Sequence, residues 1–253
     1  MAGDRKIALV TGGGSGIGRA TSEMFAARGA AVVVVDRTED GEYSGPETVE
    51  LVRKAGGTAM FVRADVSVEA EVEAAVAAAL AEYGRLDAAV NCAGVAGTGA
   101  KIGDTALEDW NRVLNINLTG VFLSLKHEIR AMLPNNAGTI VSIASAAGLV
   151  AVPYLSPYCS SKHGVLGLTK TAAREYRSKG LRINAICPGV IDTPMIRTSA
   201  EERPEVNAQS RESTGGFVGQ PEQIASAAVW LCSDEASFVN GESMVVDGGT
   251  VTR

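Results

Sequence analysis

The stretch "KIALVTGGGSGIGRA", residues 6–20, changes character halfway. Its first half is a short apolar run of strand length, and its second half is rich in glycine. The glycines miss the G-x-G-x-x-G pattern, whose third glycine would fall on Ile17, but satisfy G-x-x-x-G-x-G at Gly12, Gly16 and Gly18. Residues without a Cβ let the chain turn tightly and allow another group to approach the backbone closely. A strand ending in such a turn and re-entering as a helix points the helix N-terminus, with its unpaired N–H groups, at any anion above the turn.

The next apolar run, "AAVVVVD", ends in Asp36, near the roughly 20-residue interval at which an acid meets the hydroxyls of an adenosine ribose. Turn and acid together predict dinucleotide binding. A carboxylate at that position repels the 2′-phosphate of NADP and accepts hydrogen bonds from the free diol of NAD. Arg37 pulls the other way, since a guanidinium pairs well with phosphate. Ser15, before Gly16, adds no second cation, so NAD is preferred over NADP.

Further apolar runs follow: "AMFVRAD", "LDAAVNCAG", "GTIVSIAS", "LRINAICPG" and "ESMVVDGG". They are apolar on both faces, as strands of a parallel sheet covered by helices must be. The clearest intervening helix is 68–83, "VEAEVEAAVAAALAEY", with Ser67 as N-cap, Glu69 and Glu71 in the first turn and Gly84 as its stop. The order predicts an α/β fold, a Rossmann-type doubly wound parallel β-sheet with helices on both faces. No repeat or linker divides the chain, so residues 1–253 read as a single domain. The polar, weakly periodic segment 194–220 reads as a substrate loop.

Across 253 residues the chain is 46% apolar and carries a net charge of −6. No basic stripe offers itself to nucleic acid. No apolar run reaches the roughly 18 residues of a membrane span, and the N-terminus lacks the pattern of a secretory signal. Cys92, Cys159, Cys187 and Cys232 are scattered without metal-ligand spacing. Free thiols in a reducing cytoplasm are the expectation, with no metal site.

One short segment, "SPYCSSKHG" at 156–164, puts Tyr158 and Lys162 four positions apart and therefore on one helical face. A free phenol has a pKa near 10, and a neighbouring ammonium would lower it toward neutrality. Cys159 and His163 lie off that face and are read as bystanders. Taken with "TGGGSGIG" at 11–18, "ADV" at 64–66, "NCAG" at 91–94, Asn117 in "NINLTG", Ser145 in "SIASAAG", "NAICPGVIDTPM" at 184–195 and "NGESMVVDGG" at 240–249, the chain resembles the NAD(P)-dependent short-chain dehydrogenase/reductase family over nearly its whole length.

That resemblance implies an oxidoreductase moving a hydride between NAD(H) and a secondary alcohol or ketone. Tyr158 would be the general acid/base, Lys162 would hold the phenolate and the nicotinamide ribose, Ser145 would bind the substrate oxygen, and Asn117 would position a relay water. Gly12, Ser15, Gly16, Ile17 and Gly18 would cradle the pyrophosphate, with Asp36 and Arg37 at the ribose. Asp65 and Val66 would hold the adenine edge. Asn91, Ala93 and Gly94 would line the cleft, and Pro188, Gly189, Ile191 and Thr193 would approach the nicotinamide. Cys92 stands where many relatives have a second asparagine.

Ala96, Val150, Val152, Tyr154, Val190 and Met195 are expected to face the substrate, whose apolar surroundings suggest a hydrophobic, possibly cyclic, alcohol. A 3-oxoacyl-acyl-carrier-protein reductase using NADPH is the nearest alternative. It would have to dock an acidic carrier, for which the acidic balance and the lack of Lys or Arg between Arg130 and Thr139 are unhelpful. A non-catalytic cofactor-binding scaffold is the third reading, disfavoured because tyrosine, lysine and serine are all present. By resemblance the chain would be a homotetramer, with its last strand at a subunit edge.

Overall fold

The computed structural model describes residues 5–40, 43–202 and 216–251. Seven parallel strands form one sheet in the order β3-β2-β1-β4-β5-β6-β7, confirming the doubly wound α/β architecture within a single domain. In chain order they are β1 (Ile7–Thr11), β2 (Ala31–Asp36), β3 (Thr58–Arg63), β4 (Ala88–Asn91), β5 (Gly138–Ile143), β6 (Leu181–Pro188) and β7 (Ser243–Val246). Each lies inside one of the apolar runs read from the sequence except β3, which begins one residue before its run, at Thr58. Alternate residues serve the two faces: Leu9, Ala89 and Ile140 join one core, while Val10, Val90 and Val141 join the other.

One face is covered by α3 (Glu69–Tyr83), α5 (Gly120–Met132) and α6 (Ser156–Tyr176). The other is covered by α1 (Gly16–Ala27), α2 (Gly45–Lys54) and the helix Pro221–Leu231. Helix α4 (Leu107–Leu114) runs through a π-helical turn, Asn115–Thr119, into α5. The strand order reverses between β1 and β4, so a crevice opens there at the carboxyl ends of the strands, where ligands of such sheets bind.

Two local expectations are corrected. Helix α3 does end at Gly84, which takes the left-handed conformation at φ 76°. Its N-cap, however, is Val68, with no side-chain cap. Ser67 instead gives its hydroxyl to Asp65 Oδ1 at 2.6 Å. That carboxylate is close enough in sequence to compete with the helix end for the Ser67 side chain. The segment 194–220 is not loop throughout, because Pro194–Glu202 forms a helix, α7. The rest of that expectation falls largely on residues 203–215, outside the described residues.

Candidate active site

The glycine-rich turn is built as its residues require. Gly12 and Gly16 take positive φ, 64° and 46°. A Cβ on Gly12 would stand 2.7 Å from Ala93 N, and one on Gly18 would overlap the Gly12 carbonyl. Side chains are thus excluded both by conformation and by space. Ser15, the N-cap of α1, makes no side-chain cap hydrogen bond. Asp36 is held at the turn: its Oδ2 accepts from Gly14 N at 2.9 Å and its Oδ1 from Thr38 N at 3.1 Å.

A cavity of about 300 Å³ runs from this turn along the ends of the strands. It brings together the residues expected to hold the cofactor, with one exception. The turn residues, Asp36, Arg37, Asp65, Val66, Ala93, Gly94, Pro188, Gly189, Ile191 and Thr193 all line it, as do Ser145, Tyr158 and Lys162. The glycine cradle and the bare N-terminus of α1 fit a dinucleotide's pyrophosphate. Asp65 is locked by Ser67, whose hydroxyl and N–H hold its carboxyl below the usual range.

Asn91 is the exception. It is 1% exposed and sits behind the wall, donating to Glu128 Oε2 at 3.0 Å and accepting from Thr11 Oγ1 at 3.4 Å. The sequence reading missed several cavity residues: Thr38 and Tyr43 on the β2–α2 connection, Cys92 within and Val95 just after the "NCAG" motif, and Ile196 on α7. Membership of or adjacency to that motif was the signal for Cys92 and Val95; the others depend on how the chain folds back over the cleft.

Tyr158 and Lys162 share one face of α6, with the Lys162 ammonium 5.5 Å from the phenol ring centre. Small residues make this possible. A Cβ on Gly164 would press on Leu118 at 2.7 Å, and one on Gly148 would meet the Lys162 carbonyl at 2.9 Å. Lys162 is 4% exposed and donates to Ile143 O at 2.8 Å. Burial brings its pKa down to about 8, with the Cys92 and Cys187 thiols opposing.

The expected lowering of the Tyr158 pKa is not met in the free chain. Burial raises it and the Ser145 hydroxyl offsets this in part. The lysine donates to a backbone carbonyl at the end of β5. Ser145 also accepts from Ala147 N at 3.1 Å, which fixes its hydroxyl at the end of β5.

Asn117, in the π-helical turn, is fully buried and committed to structure. Its Oδ1 accepts from Val95 N at 2.8 Å, and its Nδ2 donates to Val95 O at 2.9 Å and to Ser161 Oγ at 3.2 Å. Both amide hydrogens are thereby taken, while Oδ1 keeps one lone pair for the water assigned to Asn117. Of the residues expected to face substrate, Met195 and Ser145 line the cavity, whereas Ala96, Val150, Val152, Tyr154 and Val190 do not. Val152 is turned to α6, its carbonyl accepting from Cys159 Sγ at 3.8 Å, and Val190 O is taken by Gly219 N at 2.9 Å. His163 is exposed, with Nδ1 2.9 Å from Cys159 O, and stands outside the cavity.

Comparison with known proteins agrees with this geometry. A family model described as "Enoyl-(Acyl carrier protein) reductase" matches residues 12–251. A 2,5-dichloro-2,5-cyclohexadiene-1,4-diol dehydrogenase of Sphingobium indicum is 43% identical over 249 residues, covering 96% of each chain. A cyclohexanol dehydrogenase of an Acinetobacter species is 40% identical, covering 99% of this chain and 96% of its own. The crystal structure of a levodione reductase superposes with a TM-score of 0.90 at 35% identity, covering 98% of both chains. The chain belongs to the short-chain dehydrogenase/reductase family and is an NAD(P)-dependent dehydrogenase acting on alcohols.

Proposed function

We propose that the protein oxidises alicyclic secondary alcohols to ketones with NAD, and runs the reverse reduction when the ketone is supplied. The observation that carries this is the meeting of Ser145, Tyr158 and Lys162 in the same cavity as the glycine turn and Asp36. Apolar Val95, Met195 and Ile196 at that cavity support a hydrophobic substrate. The three relatives described above, named for ring diols, cyclohexanol and levodione, support a ring.

NAD, when bound, supplies the hydride acceptor. The chain supplies the proton path. In the oxidative direction the Tyr158 oxygen takes the hydroxyl proton of the alcohol while the Ser145 hydroxyl holds the same substrate oxygen. Lys162, fixed by Ile143 O, places a positive charge beside the phenolate that takes this proton. Asn117 contributes by tying Val95 to Ser161 and keeps one amide lone pair for a relay water.

Preference for NAD is supported by Asp36, whose carboxylate is clamped at the turn by two backbone donors. A homotetramer in the cytoplasm remains our expectation from family resemblance, supported by exposed Phe122 on α5 and Phe238 before β7.

The test is nicotinamide absorbance with a panel of cyclic and acyclic secondary alcohols, NAD and NADP in parallel, and acyl thioesters with NADPH. Turnover of cyclic alcohols with NAD, falling about 10²–10⁴-fold in Tyr158→Phe, is expected. Strong activity on acyl thioesters with NADPH would favour the carrier-protein reading. Turnover in Tyr158→Phe within tenfold of the parent would refute the assignment of the acid/base.

A further inference from the structure

Beneath the cavity lies a buried acid that the proposed chemistry does not use. Glu128 is fully buried, at 0% exposure, in the stretch of α5 between Leu125 and Ile129, both of which pack into the core on the sheet. Below it runs a row of polar side chains. Thr11, Asn91 and Ser142 are register partners on β1, β4 and β5, and none is more than 3% exposed. Strand alternation turns all three toward the α5 face, because Leu9, Ala89 and Ile140, two residues earlier on each strand, belong to that core.

Part of the row is satisfied. Asn91 Nδ2 donates to Glu128 Oε2 at 3.0 Å, and Thr11 Oγ1 donates to Asn91 Oδ1 at 3.4 Å. Within this row two buried oxygens, Glu128 Oε1 and Ser142 Oγ, have no partner among the described residues. A buried carboxylate with one donor is costly, whereas a carboxylic acid carries a donor of its own for a neighbouring hydroxyl.

Among the described residues no cation is paired with Glu128. Its neighbours on α5, Lys126 and His127, both reach to Glu69 on α3. The titratable group facing it from beyond β5 is Cys232, whose thiol burial pushes up to about 11 and so keeps neutral. Burial likewise raises the Glu128 carboxyl to about 7, with only the Asn91 amide opposing.

The row sits directly under the site. Thr11 precedes Gly12 of the turn, Asn91 precedes Cys92, Ala93 and Gly94, and Ser142 precedes Ile143, whose carbonyl holds Lys162. Ala93 N also reaches down to Thr11 Oγ1 at 3.5 Å. We propose that Glu128 is a positioning residue that works as a neutral carboxylic acid, accepting from Asn91 through Oε2 and donating from Oε1 to Ser142, directly or across one buried water. In that form it ties the ends of β1, β4 and β5 together and sets the floor on which dinucleotide and Lys162 rest.

This rests on the cavity being a dinucleotide site, but its decisive test does not. An infrared difference spectrum between the parent protein and Glu128→Gln, at about pH 6, should show a protonated carboxyl C=O stretch present only in the parent. Loss of carboxylate bands instead would overturn the proposal. NADH titration by fluorescence supplies the second arm. Glu128→Leu should weaken NADH binding about tenfold, and Glu128→Gln, which keeps one acceptor and one donor, should stay within twofold of the parent. If Glu128→Leu does not fold, Ser142→Ala should weaken NADH binding by threefold or more both in the parent and in Glu128→Gln. Equal damage from Gln and Leu, or no change in either, would overturn it. Failure of the parent itself to bind NADH would fault the cavity assignment and leave the infrared result standing.

Discussion

Burial acts on Tyr158 and Lys162 in opposite directions, raising the phenol and lowering the ammonium, and both shifts favour the neutral forms. Ketone reduction needs the phenol proton, and alcohol oxidation needs its base form. With the phenol raised above its ordinary value near 10, we expect kcat/KM for oxidation to go on rising with pH beyond 10 and that for reduction to fall only there, checked by pH profiles in both directions. Lys162 also costs stability. With its folded value at about 8 against an ordinary value of 10.5, the unfolded chain binds the extra proton between those limits. Its contribution to stability accordingly rises with pH across that window. Lys162→Met should stabilise the protein at pH 7 by about 1–3 kcal/mol in urea unfolding while abolishing most turnover. Glu128 has the opposite sign: its value rises from 4.5 to about 7, so its contribution is largest below 4.5 and is lost as pH climbs through 7. Glu128→Gln should remove that slope and be the more stable protein at pH 8, by about 2–3 kcal/mol.

Among the elements, α3 shows what a missing cap leaves to be gained. Its N-cap is Val68, exposed and without a side-chain acceptor, while Ser67 is spent on Asp65. Val68→Asp should stabilise the fold by about 1 kcal/mol, read from the denaturant midpoint at constant m-value. Helix α6 depends on small residues for its place. Gly164 and Gly148 let it approach Leu118 and the β5 end, which puts Tyr158 and Lys162 into the cavity. The sequence displayed the pair on one face, since i and i+4 spacing needs only a helix. That Lys162 would reach a backbone carbonyl rather than the phenol depended on where β5 ends.

Across the whole molecule, the strand order decides where chemistry can occur, because reversal between β1 and β4 opens the one crevice that the turn, Asp36 and α6 all border. The resemblance-based tetramer predicts a sedimenting mass near four copies of the 26.1 kDa chain. A monomer in that measurement would leave Phe122 and Phe238 without the cover we assign them. Strands, helix order and the nucleotide turn were written in local pattern: apolar runs of strand length, helical periodicity, and glycines where a Cβ cannot fit. The four residues we propose for catalysis were identifiable only through resemblance to a family. The Glu128 row was hidden, because Thr11, Asn91, Ser142 and Glu128 read singly as ordinary polar residues on three strands and a helix. Only register, which brings positions 11, 91 and 142 side by side, and packing, which lays α5 over them, made them one network. Sequence determined the elements because their signals are short-range; tertiary structure decided the site because its contacts join residues far apart along the chain.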